Sequence, residues 1–95
     1  MDNGSVSNSN NFQDHRVIAI VYQILRERSI SNSQPIHKEH KLTDCGLTSL
    51  DLARLVLLVE DEFDLRIPVR ELIPANFRSV SSISHLITRL TDTQE

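Results

Sequence analysis

Little in this 95-residue chain offers chemistry of its own. There is one cysteine, Cys45, so no internal disulfide can form and no oxidising compartment is implied. Aromatic residues are scarce: Phe12, Tyr22, Phe63 and Phe77, with no tryptophan. The formal charge is −3, and the arginines at 16, 26, 28, 54, 66, 70, 78 and 89 are scattered rather than clustered. A nucleic-acid surface needs clustered cations with aromatics between them, so that class is excluded. No apolar run approaches the roughly 20 residues of a membrane helix, so no membrane insertion is expected. The start, Met1-Asp2-Asn3-Gly4-Ser5, lacks the basic and apolar regions of a signal peptide. A cytoplasmic, soluble chain is the expectation. No stretch alternates as a strand would, and no internal repeat is present.

What remains is helical periodicity. Residues 1–11 are almost wholly polar and too poor in apolar side chains to offset the entropy of ordering. They are expected to form a disordered polar tail, leaving one domain over 12–95. In that domain Val17, Ile20, Val21, Ile24 and Leu25 recur at helical spacing and predict a first helix over 12–29. A connection of about 15 residues comes next, with Ile36 and Leu42 as candidates to pin it to the core. A second helix is predicted from Ser49 to Glu62. At about 100° per residue, Leu52, Leu55, Val56, Val59 and Phe63 share one stripe, while Leu50 and Leu57 fall almost opposite. Two outward leucines suggest a surface that meets partners. Pro68 and Pro74 confine Val69–Ile73 to a short third helix. Ser79 or Ser81 then starts a last helix carrying Val80, Ile83, Leu86, Ile87 and Leu90. The expected fold is all-α, a small four-helix bundle with a short third helix.

The stretch Asp44-Cys45-Gly46-Leu47-Thr48-Ser49-Leu50-Asp51 stands out because a glycine turn delivers hydroxyls to the start of the most apolar helix. The plain reading is a cap: Thr48, with Asp51 three residues on, has the form of a capping box. Cys45 beside the glycine reads as a small packing residue rather than a reactive thiol. His37 and His40 have no further clustered ligands, so a tetrahedral zinc site is not expected. No triad, glycine-rich phosphate cradle or carboxylate pair is present. The protein is therefore not expected to be an enzyme.

Joined to the residues on its C-terminal side, the stretch reads differently. Asp44-x-Gly46-x-x-Ser49-Leu50-Asp51, Leu55, Glu60-Asp61-Glu62-Phe63-Asp64 and Ile67-Pro68, at these separations, resemble an acyl carrier protein over about residues 12–90. The resemblance implies that Ser49 is the attachment point of 4'-phosphopantetheine. In such carriers the matching serine attacks the pyrophosphate of coenzyme A on a separate, magnesium-dependent phosphopantetheinyl transferase. The arm's thiol then carries acyl groups as thioesters. A helix N-terminus suits the phosphate so attached. The resemblance also makes the second helix the recognition surface, with Thr48, Leu50, Asp51, Arg54, Leu57, Glu60 and Asp61 read by partner enzymes.

Two positions depart from the common pattern. Thr48 precedes the serine where many carriers have an aspartate, and Arg54 stands where fatty-acid carriers commonly have an acid. Both lie on the surface that partners read, which points to a specialised lipid, polyketide or aminoacyl pathway. The Gly-Gly-x-Ser pattern of peptidyl carriers is absent. Expected partners are the transferase, an acyl- or aminoacyl-loading ligase, and an acyltransferase or synthase, all acting on a monomer. The competing class is an unmodified helical interaction module that docks through Leu50 and Leu57.

Overall fold

The computed structural model describes residues 3–28 and 35–92, with side chains described from residue 12 onward. Among the described residues the fold is all-α, with no strand. Three α-helices run as α1 (Asn3–Glu27), α2 (Ser49–Phe63) and α3 (Val80–Asp92). Short 3₁₀ turns occupy Leu42–Cys45, Val69–Glu71 and Pro74–Phe77.

The apolar stripe of α1 is its core face: Val17, Val21, Ile24 and Leu25 are fully buried. They meet Leu55 and Val59 of α2 and Val80, Ile83, Leu86 and Ile87 of α3 in one continuous cluster. Burying such side chains stabilises the fold by about 1.5–3 kcal/mol each. Helix α1 begins at Asn3, ahead of the expected start near Phe12. Residues 3–11 of the segment expected as a disordered tail thus carry helical backbone, whereas residues 1–2 lie outside the described residues. Once a helix is nucleated by its packed half, each added residue gains a hydrogen bond, and no proline interrupts this segment. At the other end, the expected stop at Ser29 falls in residues 29–34, outside those described, as does Ile30.

The long connection is pinned as the sequence suggests. Ile36 and Leu42 are both buried. The Ile36 N–H donates to the Tyr22 hydroxyl at 3.0 Å, and the Leu42 N–H donates to the Arg78 carbonyl at 2.8 Å. Helix α2 ends on Asp64 in the left-handed region, φ 53°, whose N–H returns to the Glu60 carbonyl. Pro68 comes only after this end, so the helix stops without it. Ser79 starts α3, its hydroxyl accepting from the Ser82 N–H at 3.2 Å.

The short third helix is not formed as expected. From Pro68 onward lie two successive 3₁₀ turns, Val69–Glu71 and Pro74–Phe77. Five residues separate the prolines, and Pro74 both lacks a donor and disfavours helical backbone at Ile73. The architecture is three α-helices with this 3₁₀ strip laid across them.

Polar contacts set how α1 and α2 pack. Near the start of the packed half, the Arg16 guanidinium lies 4.3 Å from the centre of the Phe63 ring and 2.9 Å from Glu62. At the far end, Glu27 pairs with Arg54 at 2.7 Å and Arg28 pairs with Asp51. Residue numbers rise on one helix as they fall on the other, so the two helices are antiparallel. Between α1 and α3, the Ser84 hydroxyl donates to the buried carboxylate of Asp14, and the Gln13 amide donates to the Ser84 carbonyl at 3.0 Å.

A hydroxyl presented at the head of a helix

The site is made by three successive backbone decisions. The 3₁₀ turn Leu42–Cys45 closes on Gly46, whose φ of 108° and ψ of 3° suit glycine because no Cβ is present to clash. Leu47 then folds inward and is buried, anchoring the turn to the core. Thr48 comes next in extended backbone, φ −97° and ψ 176°, as the N-cap of α2.

Thr48 and Asp51 make a complete capping box. The Thr48 hydroxyl accepts from the Asp51 N–H at 3.3 Å, and the Asp51 carboxylate accepts from the Thr48 N–H at 2.9 Å. The same carboxylate oxygen accepts from the Thr48 hydroxyl at 3.1 Å and from the Arg28 guanidinium. The Thr48 N–H, then Arg28, hold the Asp51 carboxyl below the ordinary carboxylate range, against the opposing effect of burial. Thr48 is thus the cap, and Ser49 is the first helical residue. Ser49 is exposed, and among the described residues nothing hydrogen-bonds its hydroxyl. A free hydroxyl on the first turn of a 15-residue helix faces the positive end of the backbone dipoles, which favours an attached phosphate.

Beside Ser49 lies an open, largely apolar groove of about 650 Å³. One wall is α2, through Leu52, Ala53 and Val56; the other is the 3₁₀ strip, through Leu72, Ile73 and Phe77. Leu52 and Val56, expected in the core stripe, are only half-buried because they form this wall. A second recess shares Thr43, Leu52 and Phe77 and extends toward Lys41 and Arg78. Helical spacing alone does not reveal the groove, because its far wall comes from a loop whose position is tertiary. The adjacent apolar pair Leu72-Ile73, set just before Pro74, is the sequence signal that could have pointed to it.

The outer face of α2 sorts the expected recognition residues into two sets. Leu50 and Leu57 stand outward, 79% and 65% exposed, and Thr48 and Asp61 are also exposed. Asp51 is not a surface charge: it is 7% exposed and committed to the cap. Glu60 is likewise turned inward, its Oε2 accepting from the Ile67 N–H at 2.8 Å to brace the chain ahead of Pro68. Arg54 is exposed but tied to Glu27. The sequence shows these as helix charges; the ion-pair partners Arg28 of Asp51 and Glu27 of Arg54 lie too far along the chain to be read from it.

The remaining candidates take structural places. Cys45 is half-buried against the core, and burial, then Asp44, raises its thiol pKa. The His37 and His40 rings lie 5.3 Å apart on the surface. No group of three or more metal-ligating side chains occurs among the described residues. Nor is any helix among them long and apolar enough to cross a membrane.

A helical domain that holds one free hydroxyl at a capped helix start, beside an apolar groove, has the form of a carrier to which a group is attached. The chain belongs to the phosphopantetheine attachment site family, whose model matches residues 15–87. It is 41% identical over 73 residues to aminoacyl carrier protein 2 of Bradyrhizobium diazoefficiens, covering 77% of this chain and 80% of that protein. Aminoacyl carrier protein 1 of the same organism is 38% identical over 73 residues, covering 77% and 79%. The fold matches a glycylated carrier protein in complex with the Bradyrhizobium japonicum glycine:carrier protein ligase, with a TM-score of 0.65 and 38% identity, over 77% of this chain and 96% of that one. It also matches a carrier protein from Agrobacterium tumefaciens bound to an engineered form of that ligase, with a TM-score of 0.59 and 26% identity, over 77% and 97%. The protein is a carrier that holds acyl or aminoacyl groups as thioesters on 4'-phosphopantetheine; it is worked on by enzymes and is not one itself.

Proposed function

We propose that Ser49 bears the phosphopantetheine and that the cargo is an aminoacyl group, loaded by an ATP-dependent ligase. The observation that carries the reading is the division of labour at the head of α2. Thr48 is consumed as the cap, while the neighbouring hydroxyl of Ser49 is exposed and, among the described residues, without an internal partner. A cap serine would have its oxygen engaged; this one does not.

The residues suit the group. When attached, it supplies a flexible arm ending in a thiol that holds the cargo as a thioester. Ser49 Oγ would attack a phosphorus of the coenzyme A pyrophosphate, releasing the adenosine bisphosphate and losing its proton to the transferase, which supplies the base. The first turn of α2 favours the phosphodiester, and Leu52, Val56 and Phe77 offer the arm an apolar bed. Leu50 and Leu57, with Thr48, Arg54 and Asp61 around them, are the surface that the transferase and the ligase read. Asp51 and Glu60 support that surface from below. The aminoacyl assignment, in preference to fatty-acid or lipid synthesis, rests on the named relatives and on Arg54, a base standing where fatty-acid carriers commonly show an acid. The carrier domain is residues 12–95, acting as a cytoplasmic monomer.

The test is intact-mass measurement after incubation with coenzyme A, magnesium and a broad-specificity transferase. A gain of about 340 Da is expected, and none for Ser49→Ala. The holo form should then gain an amino-acid residue mass with an aminoacyl ligase, ATP and glycine, and no fatty acyl mass with an acyl-loading ligase. If the wild-type chain takes up no arm from several transferases, the reading fails.

A further inference from the structure

Two adjacent hydroxyls could cap α2, and only one choice leaves the other free for transfer. If the helix began one residue later, Ser49 would be the cap and its oxygen would accept from the backbone of the first turn. The residue three positions on would then be Leu52, which has no group to return the bond. With Thr48 as cap, that residue is Asp51, which does return it. The register therefore depends on Asp51 remaining a carboxylate in a nearly buried place.

A carboxylate withdrawn from water needs compensation. Thr48 supplies two neutral donors to one oxygen of Asp51. Arg28, at the end of α1 and 23 residues away in sequence, supplies the one cation paired with it among the described residues. The Arg28 N–H itself continues the hydrogen bonding of α1, donating to the Ile24 carbonyl at 3.1 Å, so the side chain extends from a defined base. The adjacent pair, Glu27 with Arg54, crosses the same two helices but touches no atom of the cap. The two pairs thus separate helix docking from cap selection.

We propose that Arg28 is a positioning residue for the transfer to Ser49: by holding the Asp51 carboxylate it locks α2 in the register capped by Thr48 and keeps the Ser49 hydroxyl free. The proposal rests on Ser49 being the attachment point, and its test has one arm that does not. In the unmodified protein, the Cα and Cβ chemical shifts of Thr48 and Ser49 report which residue is extended and which is helical. Arg28→Gln should move Ser49 toward cap values. It should also lower kcat for arm transfer about fivefold, with KM for coenzyme A unchanged. Arg28→Lys should recover most of both effects, because the charge is retained. Glu27→Gln, which removes the neighbouring ion pair, should leave the Ser49 shifts and kcat as in the wild type. Unchanged Ser49 shifts in Arg28→Gln would overturn the proposal, as would an equal fall in kcat for Glu27→Gln. A wild-type protein that takes no arm would overturn the attachment reading, while the chemical shifts would still decide the register.

Discussion

The two walls of the groove beside Ser49 are built on different principles. The α2 wall begins in a dense local network: Thr48 and Asp51 satisfy one another, and Arg28 neutralises the pair. The facing wall is a strip of 3₁₀ turns with poorer hydrogen bonds and outward apolar side chains, among them Val69 at 83% exposure. One buried ring, Phe77, ties that strip to the core, and Glu71 braces it through the Asn76 amide at 3.0 Å and Arg89 at 3.0 Å. The start of α2, and Ser49 with it, is thus fixed by polar contacts nearby, while the width of the groove is set by one apolar anchor. A change in one wall should leave the other largely intact.

That independence can be broken in graded ways. The largest effect is expected for Phe77→Ala, which removes the anchor and should cost about 3–5 kcal/mol in urea unfolding, while Ser49 keeps the chemical shifts of a first helical residue. Next is Asp51→Ala, which removes the capping box and should cost about 1–2 kcal/mol at neutral pH, with Phe77 ring contacts unchanged by NMR. The penalty should depend on pH. The Asp51 pKa is lowered in the folded state, so its stabilisation is present above the unfolded pKa of about 3.9 and is lost as pH falls through the folded value. Wild type and Asp51→Ala should therefore converge in stability on strong acidification, as urea midpoints across the acid range would show.

Smaller effects should mark the surface. Leu57→Ser and Leu50→Ser remove exposed side chains and should alter stability by no more than about 0.5 kcal/mol. Loading by the ligase should nevertheless fall about tenfold if these leucines are central contacts. Val69→Ser, on the 3₁₀ strip that carries the opposite wall but outside the groove itself, should change stability as little and should leave transfer of the arm to Ser49 unaffected. A loss of arm transfer in Val69→Ser would show that the two walls are read together by the transferase.

Much of the fold is legible in the order of residues. The apolar stripes of α1 and α3 are regular enough to place their helices and cores, and Ile36 and Leu42 stand out as the only apolar residues in an otherwise polar connection beyond Ile30. The capping box is legible as well, since Thr48 and Asp51 are three residues apart. The expected short helix after Pro68 fails because apolar content does not set helical length; the spacing of the two prolines permits only 3₁₀ turns. Asp51 and Glu60 look like partner-surface charges in the sequence because the burial of Asp51 beside Arg28 and the bond from the Ile67 N–H to Glu60 form only once the chain has folded back.

What the sequence determined alone is local: which segments are helices, that Gly46 turns the chain, and that two hydroxyls stand at the start of the most apolar helix. Those features arise from periodicity, backbone sterics and contacts within four residues. Which acids would face solvent and whether a groove would open beside Ser49 were decided by tertiary structure. Each depends on groups distant in sequence, such as Arg28 with Asp51 or Phe77 with Leu52, and electrostatic and packing energies act through space rather than along the chain.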